Sequence, residues 1–134
     1  MTGRPPSDRE ARAEERGETV IGSAFLFSIV LFAIFLLIQI LLGYYVRSVA
    51  SFAASDAAAL MARDGATEAQ GEAYATSFIL SQAGGLVIGN ELVVRADKGP
   101  EETTVTVTGR TRLLWSVGLD VEGSAPTERF EPQR

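Results

Sequence analysis

Residues 19–46 read TVIGSAFLFSIVLFAIFLLIQILLGYYV, and none of these 28 positions carries a charged side chain. A helix needs about 20 predominantly apolar residues to cross the hydrocarbon core of a bilayer. A helix that is apolar on every side is buried in lipid or in a large core. This run therefore predicts a single transmembrane helix over residues 19–46, with the lipid bilayer as its surroundings.

A cleaved signal peptide is the first alternative to a retained anchor. Its apolar region would span about 7–15 residues and end in a small-residue cleavage site. Here the apolar run is longer, and Gly43-Tyr44-Tyr45-Val46-Arg47 follows where such a site would lie. Tyrosine and arginine suit the water–lipid boundary. The pattern favours a retained anchor.

Basic residues are distributed unequally around the run, with four before it and two closely after it: Arg4, Arg9, Arg12 and Arg16, against Arg47 and Arg63. The excess predicts a cytoplasmic amino end and an extracytoplasmic carboxyl-terminal domain, in the cytoplasmic (inner) membrane. Residues 1–18 combine Pro5-Pro6 with dense mixed charge and little apolar surface. Such a segment predicts a mobile cytoplasmic tail.

The helical pattern continues beyond the run through the alanine-rich residues 47–64. The helix is expected from about Val20 to Arg63, ending at Asp64-Gly65 with the glycine as cap. Its packing side is predicted as a stripe of six residues: Tyr45, Val49, Phe52, Ala53, Ala57 and Leu60. The stripe contacts either the chain's own domain or helices of a homo- or hetero-oligomer. Gln39 within the span is either satisfied locally or forms a helix–helix hydrogen bond of ~1 kcal/mol.

Residues 65–134 predict a small α+β domain. Thr67 and Gln70 have the spacing of a capping box, so a second helix is expected to run to about Ala83 and stop at Gly84-Gly85. Alternating residues then predict three antiparallel strands, at 91–96, 103–108 and 119–125. Lys98-Gly99-Pro100 forms the first turn, valines face inward and threonines outward in the second strand, and Pro126 closes the third. The fold class is α+β, with a long transmembrane helix that continues outside the membrane, a second short helix and a small antiparallel sheet.

Composition excludes several functions. The chain has 12 basic and 17 acidic residues, for a net charge of −5, and no basic cluster predicts nucleic-acid binding. It has no histidine and no cysteine, which removes the usual general base, the thiol nucleophile and the commonest zinc ligands. No enzyme activity, cofactor or metal is therefore expected. Two groups of acidic residues are interpreted as solvated carboxylates and not as an acid–base pair or a calcium site. They lie on the second helix (Glu68 and Glu72) and at the hairpin turn (Asp97, Glu101 and Glu102).

Two surfaces remain as candidate contacts in the sheet region. Leu113, Leu114 and Trp115 belong to an apolar segment without alternation. That segment is either a loop on the core or a patch that touches lipid or a partner, and the tryptophan suits the second role. The edge of so small a sheet can also pair with a strand of another chain.

The order of these segments resembles TadE-like proteins, which are minor pilins or pseudopilins of the tight-adherence (Flp) pilus system, and it is most similar to the actinobacterial branch. The resemblance covers residues 16–130. It is carried by Arg16-Gly17 before the span, the exit Tyr44-Tyr45-Val46-Arg47, the end Ala62-Arg63-Asp64-Gly65 and the segment Pro126-Thr127-Glu128-Arg129-Phe130. It implies a structural role in assembling a type IV-like pilus, with other pilin or pilus-assembly subunits as partners.

One position departs from the family pattern. The family usually has a glutamate a few residues after the Arg-Gly pair, associated with leader cleavage and with pairing to a neighbour's amino terminus. Here Gly22 stands at about that place, and Glu18 directly follows Gly17. The family's usual proline in the span is also absent. Cleavage between Gly17 and Glu18 and a permanent uncleaved anchor both remain open, as does a membrane-anchored sensor or accessory protein unrelated to pili.

Overall fold

The computed structural model describes Gly3, residues 7–63 and residues 65–128. Asp64, Arg129 and Phe130, which contribute to the resemblance, and Arg4 and Pro5-Pro6 of the tail lie outside the described residues. The elements in chain order are α1 (Asp8–Ala62), α2 (Glu68–Ala83), β1 (Val93–Lys98), β2 (Glu102–Arg110) and β3 (Gly118–Pro126). The predicted α+β class, with a long first helix, a short second one and an antiparallel sheet, is confirmed. The chain divides into two compact units, Met1–Ile38 and Gln39–Arg134.

Helix α1 begins at Asp8, well before the Val20 expected from the sequence, so residues 8–18 of the tail are helical. Ser7 occupies the N-cap position: its backbone N–H donates to Glu10 Oε2 at 3.1 Å, and its carbonyl accepts from Glu10 N at 2.8 Å. The spacing Ser-x-x-Glu is a capping-box pattern, and the acidic side chains of the first turn suit the positive end of the helix dipole. The early start of α1 thus has a local signal in the sequence, the spacing of Ser7 and Glu10.

The first unit presents its apolar side chains outward. The large apolar residues from Val20 to Ile38 are exposed except for the half-buried Leu36, and no residue of the helix's most apolar 18-residue window is buried. The hydroxyl of Ser28 donates to the carbonyl of Ala24 at 2.9 Å, so the helix itself satisfies this polar group. Within the described residues α1 is the one helix long and apolar enough to cross a bilayer, which fits a single-pass membrane protein.

In the second unit the three strands pair in the order β1-β2-β3, antiparallel throughout. Val105, Val107, Leu119 and Val121 of the sheet are buried together with a row of small residues on α1: Ala50, Ala53, Ala54, Ala57 and Ala58. At the centre, a Cβ added to Gly123 of β3 would lie 2.4 Å from the backbone N of Ser55. The strand backbone therefore lies directly on the helix backbone, which alanine and glycine alone permit.

Helix α2 has the predicted N-terminus, since Thr67 and Gln70 form both halves of the capping box, and its residues Ala75, Ile79 and Ala83 are buried. The first strand differs: it spans Val93–Lys98 rather than 91–96, because a tight turn places Lys98 opposite Thr103, with Gly99 N donating to Glu102 O at 3.0 Å.

The second strand buries its valines as predicted, but one threonine of this strand also faces inward. Thr103 has the same parity as Val105 and Val107, and all three are fully buried. The hydroxyls of Thr103 and Thr127 lie 2.8 Å apart and form a hydrogen bond, so the buried polar group is satisfied.

Candidate interaction surfaces

The predicted stripe on α1 divides into two parts. Ala53 and Ala57 are fully buried in the chain's own core and offer no surface to a partner, and Val49 packs against the same core. Phe52, by contrast, is 60% exposed. Tyr45 is also exposed, and its hydroxyl donates to the carbonyl of Gln82 at 3.3 Å. Leu60 is half-buried. Packing against the chain's own domain thus accounts for the alanines.

Three rings form what we term the aromatic face: Phe52 on α1, and Tyr74 and Phe78 on α2. The ring centroids of Phe52 and Phe78 are 5.5 Å apart, and those of Tyr74 and Phe78 are 6.2 Å apart. Such pairs contribute about 0.5–1.5 kcal/mol beyond the area they bury. The hydroxyl of Tyr74 donates to a carboxylate oxygen of Asp56, which ties α2 to α1 at the end of the row.

The hydrogen bond to Asp56 raises the pKa of Tyr74 above its ordinary value of 10.0, with desolvation and the carboxylate's charge as smaller causes. The pKa of Tyr74 is higher in the folded chain than in the unfolded chain. The hydrogen bond to Asp56 therefore stabilises the folded state fully below pH 10.0, and this stabilisation is lost as the pH rises through the folded-state pKa. We predict that Tyr74 titrates at a higher pH in the folded chain than in the unfolded chain, measured by tyrosinate absorbance. Tyr74→Phe should remove that difference, and Tyr45→Phe should leave it.

The outer edge of β1 is covered by carboxylates of α2. Glu72 Oε1 accepts from the backbone N–H of Ala96, and Glu68 Oε1 accepts from that of Lys98, each at 3.1 Å. The two strand residues are two positions apart, and the two glutamates are one helical turn apart, so the spacings match. These side chains, interpreted from the sequence as merely solvated, occupy strand donors that another chain would need for pairing.

Removing the carboxylate at position 72 should therefore open this edge. We predict that Glu72→Ala costs about 1–2 kcal/mol of stability, because it leaves a half-buried N–H without its acceptor. Hydrogen exchange of the Ala96 amide should accelerate about tenfold, since that factor corresponds to 1.4 kcal/mol. Glu72→Gln keeps an acceptor oxygen at the same place and is the matched control. Equal exchange in all three proteins would contradict the edge contact.

The hairpin turn between β1 and β2 is held against the end of α1 by the ammonium group of Lys98. Lys98 Nζ donates to the carbonyls of Arg63 and Ala66, each at 3.1 Å, where a positive charge suits the end of α1. Asp97, Glu101 and Glu102 are exposed. Within the described residues, no group of three or more acidic, histidine or cysteine side chains is placed to hold a metal ion.

The segment between β2 and β3, residues 112–117, is termed the apolar loop. Its ends are held together, since Thr111 N donates to Val117 O at 3.0 Å and Val117 N donates to Thr111 Oγ1 at 3.2 Å. Its middle touches α1: the N–H of Leu114 donates to Gln39 Oε1 at 3.3 Å. The amide oxygen of Gln39 thus accepts a hydrogen bond from the chain itself, in keeping with the first of its two sequence interpretations.

Side chains of the apolar loop face two directions. Leu113 is half-buried, and its Cδ1 would lie 3.4 Å from a Cβ added to Gly43, so it packs on α1 where the helix has no side chain. Leu114 is 59% exposed, Trp115 53% and Val117 47%. The loop is therefore anchored on the chain's own helix by one leucine and presents the remaining apolar side chains outward.

Comparisons with known proteins identify no relative: no protein-family model, no curated protein and no solved structure matches the chain. The residues of the possible leader cleavage, Gly17 and Glu18, lie exposed within α1, as does Gly22. Function must then be argued from the geometry and from the sequence resemblance.

Proposed function

We propose that this chain is a TadE-like membrane subunit that acts structurally in the assembly of a type IV-like Flp pilus. One observation carries the structural part: an exposed apolar helix of the first unit continues into the helical segment on which the second unit is built. The pilus assignment is supported by the sequence resemblance over residues 16–130. The same chain lacks histidine and cysteine, so the proposal assigns it no chemistry.

The proposed mechanism is helix packing in lipid, combined with contacts between domains outside it. Helices in a bilayer associate through close packing and interhelical hydrogen bonds, since lipid supplies no hydrophobic force between them. The apolar surface of residues 20–38 is open to such packing. Ala53 and Ala57 are already occupied by the chain's own sheet, so the second unit would meet partners through other surfaces, with the aromatic face as the first candidate.

A cysteine scan tests the proposal directly, because the natural chain contains no cysteine. Single cysteines are placed in turn from Phe25 to Ile38, and membranes of the producing cell are treated with a membrane-permeant reagent that has one thiol-reactive arm and one photoreactive arm, so that illumination attaches it to C–H groups of a neighbouring chain. Packing of one helix side against other pilus subunits predicts cross-links that recur with the helical period of 3.6 residues. Mass spectrometry of the products identifies the partner.

Two variants outside the span serve as a negative control and as a test of the aromatic face. Ala57→Cys lies in the core of the second unit and should give no product, whereas Phe52→Cys lies on the aromatic face and should cross-link if that face meets a partner. The pilus role would be contradicted if the cross-linked proteins were all unrelated to pili and the cross-linked positions showed no helical period. Loss of pili on deletion of the chain, restored by the wild-type sequence, is the matching test in cells.

Intact mass of the membrane-extracted protein then distinguishes the two fates left open by Gly17 and Glu18. Loss of the first 17 residues means processing by a leader peptidase, and a full-length mass means a permanent anchor. Gly17→Leu is the control, since it should block cleavage after position 17 and leave a full-length chain.

A further inference from the structure

We propose that the apolar loop is a second membrane contact of this chain, and that Leu114, Trp115 and Val117 enter the interfacial layer of the leaflet beside the second unit. The proposal requires that residues 19–38 span the bilayer, and it does not require the pilus role. The partner is a phospholipid surface. Four observations place the loop there.

The first observation is the length of helix that lipid has to cover. At 1.5 Å per residue, residues 19–38 span about 30 Å, which equals the thickness of the hydrocarbon core. The uncharged run continues to Val46, but Val46 is fully buried within the second unit and is not available to lipid. The far boundary of the hydrocarbon therefore falls close to Gln39.

The second observation is that the apolar loop meets α1 at this boundary. Leu114 N is hydrogen-bonded to Gln39 Oε1, and Leu113 packs at Gly43, one helical turn further along. A loop held at these two residues is held at the level where the hydrocarbon ends. Tryptophan is enriched in proteins at that level.

The third observation concerns the polar groups of the loop. Unsatisfied backbone groups cost several kcal/mol in hydrocarbon, which ordinarily keeps loops out of it. Here the N–H of Leu114 donates to the side chain of Gln39. The N–H of Thr111 donates to the carbonyl of Val117, and the N–H of Val117 donates to the hydroxyl of Thr111. These bonds lower the cost of moving the loop towards lipid, and one of them also occupies the amide oxygen of Gln39 at the end of the span.

The fourth observation is the charge around the three exposed apolar residues. Arg112 begins the loop, and Arg47 lies one turn after Gly43 on α1; both are exposed. Cations beside an apolar surface are suited to the phosphates of lipid headgroups. An apolar centre with a basic border fits a phospholipid surface, whose glycerol phosphates lie beside its acyl chains, better than it fits a basic or uncharged protein groove.

Trp115 is the only tryptophan of the chain, so its fluorescence reports on this loop alone. The full-length protein is reconstituted in phosphatidylcholine vesicles with acyl chains brominated near the headgroup. A ring at the headgroup level lies within reach of the bromines, so we expect about a twofold loss of emission relative to unbrominated vesicles. Aqueous iodide should quench the emission much less in vesicles than after unfolding in urea.

The matched control moves the tryptophan to the opposite end of β2. In Trp115→Phe combined with Glu101→Trp, the reporter stands in the exposed hairpin turn and should be quenched by iodide and not by brominated lipid. Open access of iodide to Trp115 would overturn the proposal. Protection from both quenchers would also overturn it, in favour of contact with another protein chain. A chain that does not float with the vesicles refutes the membrane span itself, on which the proposed function also depends. The other two contrary results refute only the membrane contact of the apolar loop.

Discussion

Gly123→Ala is expected to destabilise the second unit by about 3 kcal/mol, the upper part of the usual range for overpacking a core. The new Cβ would lie 2.4 Å from Ser55 N and 2.5 Å from the backbone C of Ala54. Both are backbone atoms of α1, so no side chain can turn aside, and β3 has to separate from the helix. Urea unfolding of the full chain in detergent, followed by Trp115 emission, measures the loss.

Gly71→Ala provides the matched control, because there a Cβ would also overlap a neighbour. The neighbours are Sδ and Cγ of Met61, at 2.0 and 2.4 Å, in a buried side chain that is unbranched and can change rotamer. Repacking of Met61 costs about 1–3 kcal/mol, and the added helix propensity within α2 offsets about 1 kcal/mol. We therefore expect a net loss of about 1 kcal/mol, smaller than that of Gly123→Ala. If Gly123→Ala were as stable as Gly71→Ala, the direct contact between β3 and α1 would be refuted.

The second large effect is expected in the span. Replacing Leu31 and Ile34 together by arginine places two charges near the middle of residues 19–46. Each costs about 2.5–3.5 kcal/mol at the centre of an inserting helix, so the pair should abolish insertion. The measurement is the fraction of newly synthesised chain that resists alkaline extraction from vesicles.

Ala11→Arg with Ala13→Arg is the control for added charge as such. Both positions are exposed in the polar first part of α1, outside the uncharged run. This double variant should insert as well as the wild type. Equal insertion of the Leu31 and Ile34 double variant would show that the apolar helix is not surrounded by lipid.

The sequence predicted the elements whose signals are local. The uncharged run, the capping box at Thr67 and the alternating valines of β2 each depend on neighbouring residues, and all three are found in the structure. The start of α1 also has a local signal, the spacing of Ser7 and Glu10, but the dense mixed charge of the same segment is equally typical of a mobile tail.

The candidate contacts were harder to predict because they depend on pairs that are distant in sequence. Glu72 meets Ala96 and Gln39 meets Leu114 only after the sheet has formed. Periodicity located an apolar side of α1, but it did not show that Ala53 and Ala57 face the chain's own sheet. That assignment depended on Gly123, whose missing side chain gives no hydrophobic signal.

The proposed arrangement has residues 19–38 in lipid and the hairpin turn of the second unit, at Glu101, in water on the extracytoplasmic side. Single cysteines test it with a membrane-impermeant maleimide on intact spheroplasts. We predict that Glu101→Cys is labelled at once and that Phe32→Cys is labelled only after detergent and denaturant are added. Labelling of Phe32→Cys in intact spheroplasts, or its recovery as a labelled protein in the soluble fraction, would contradict the account.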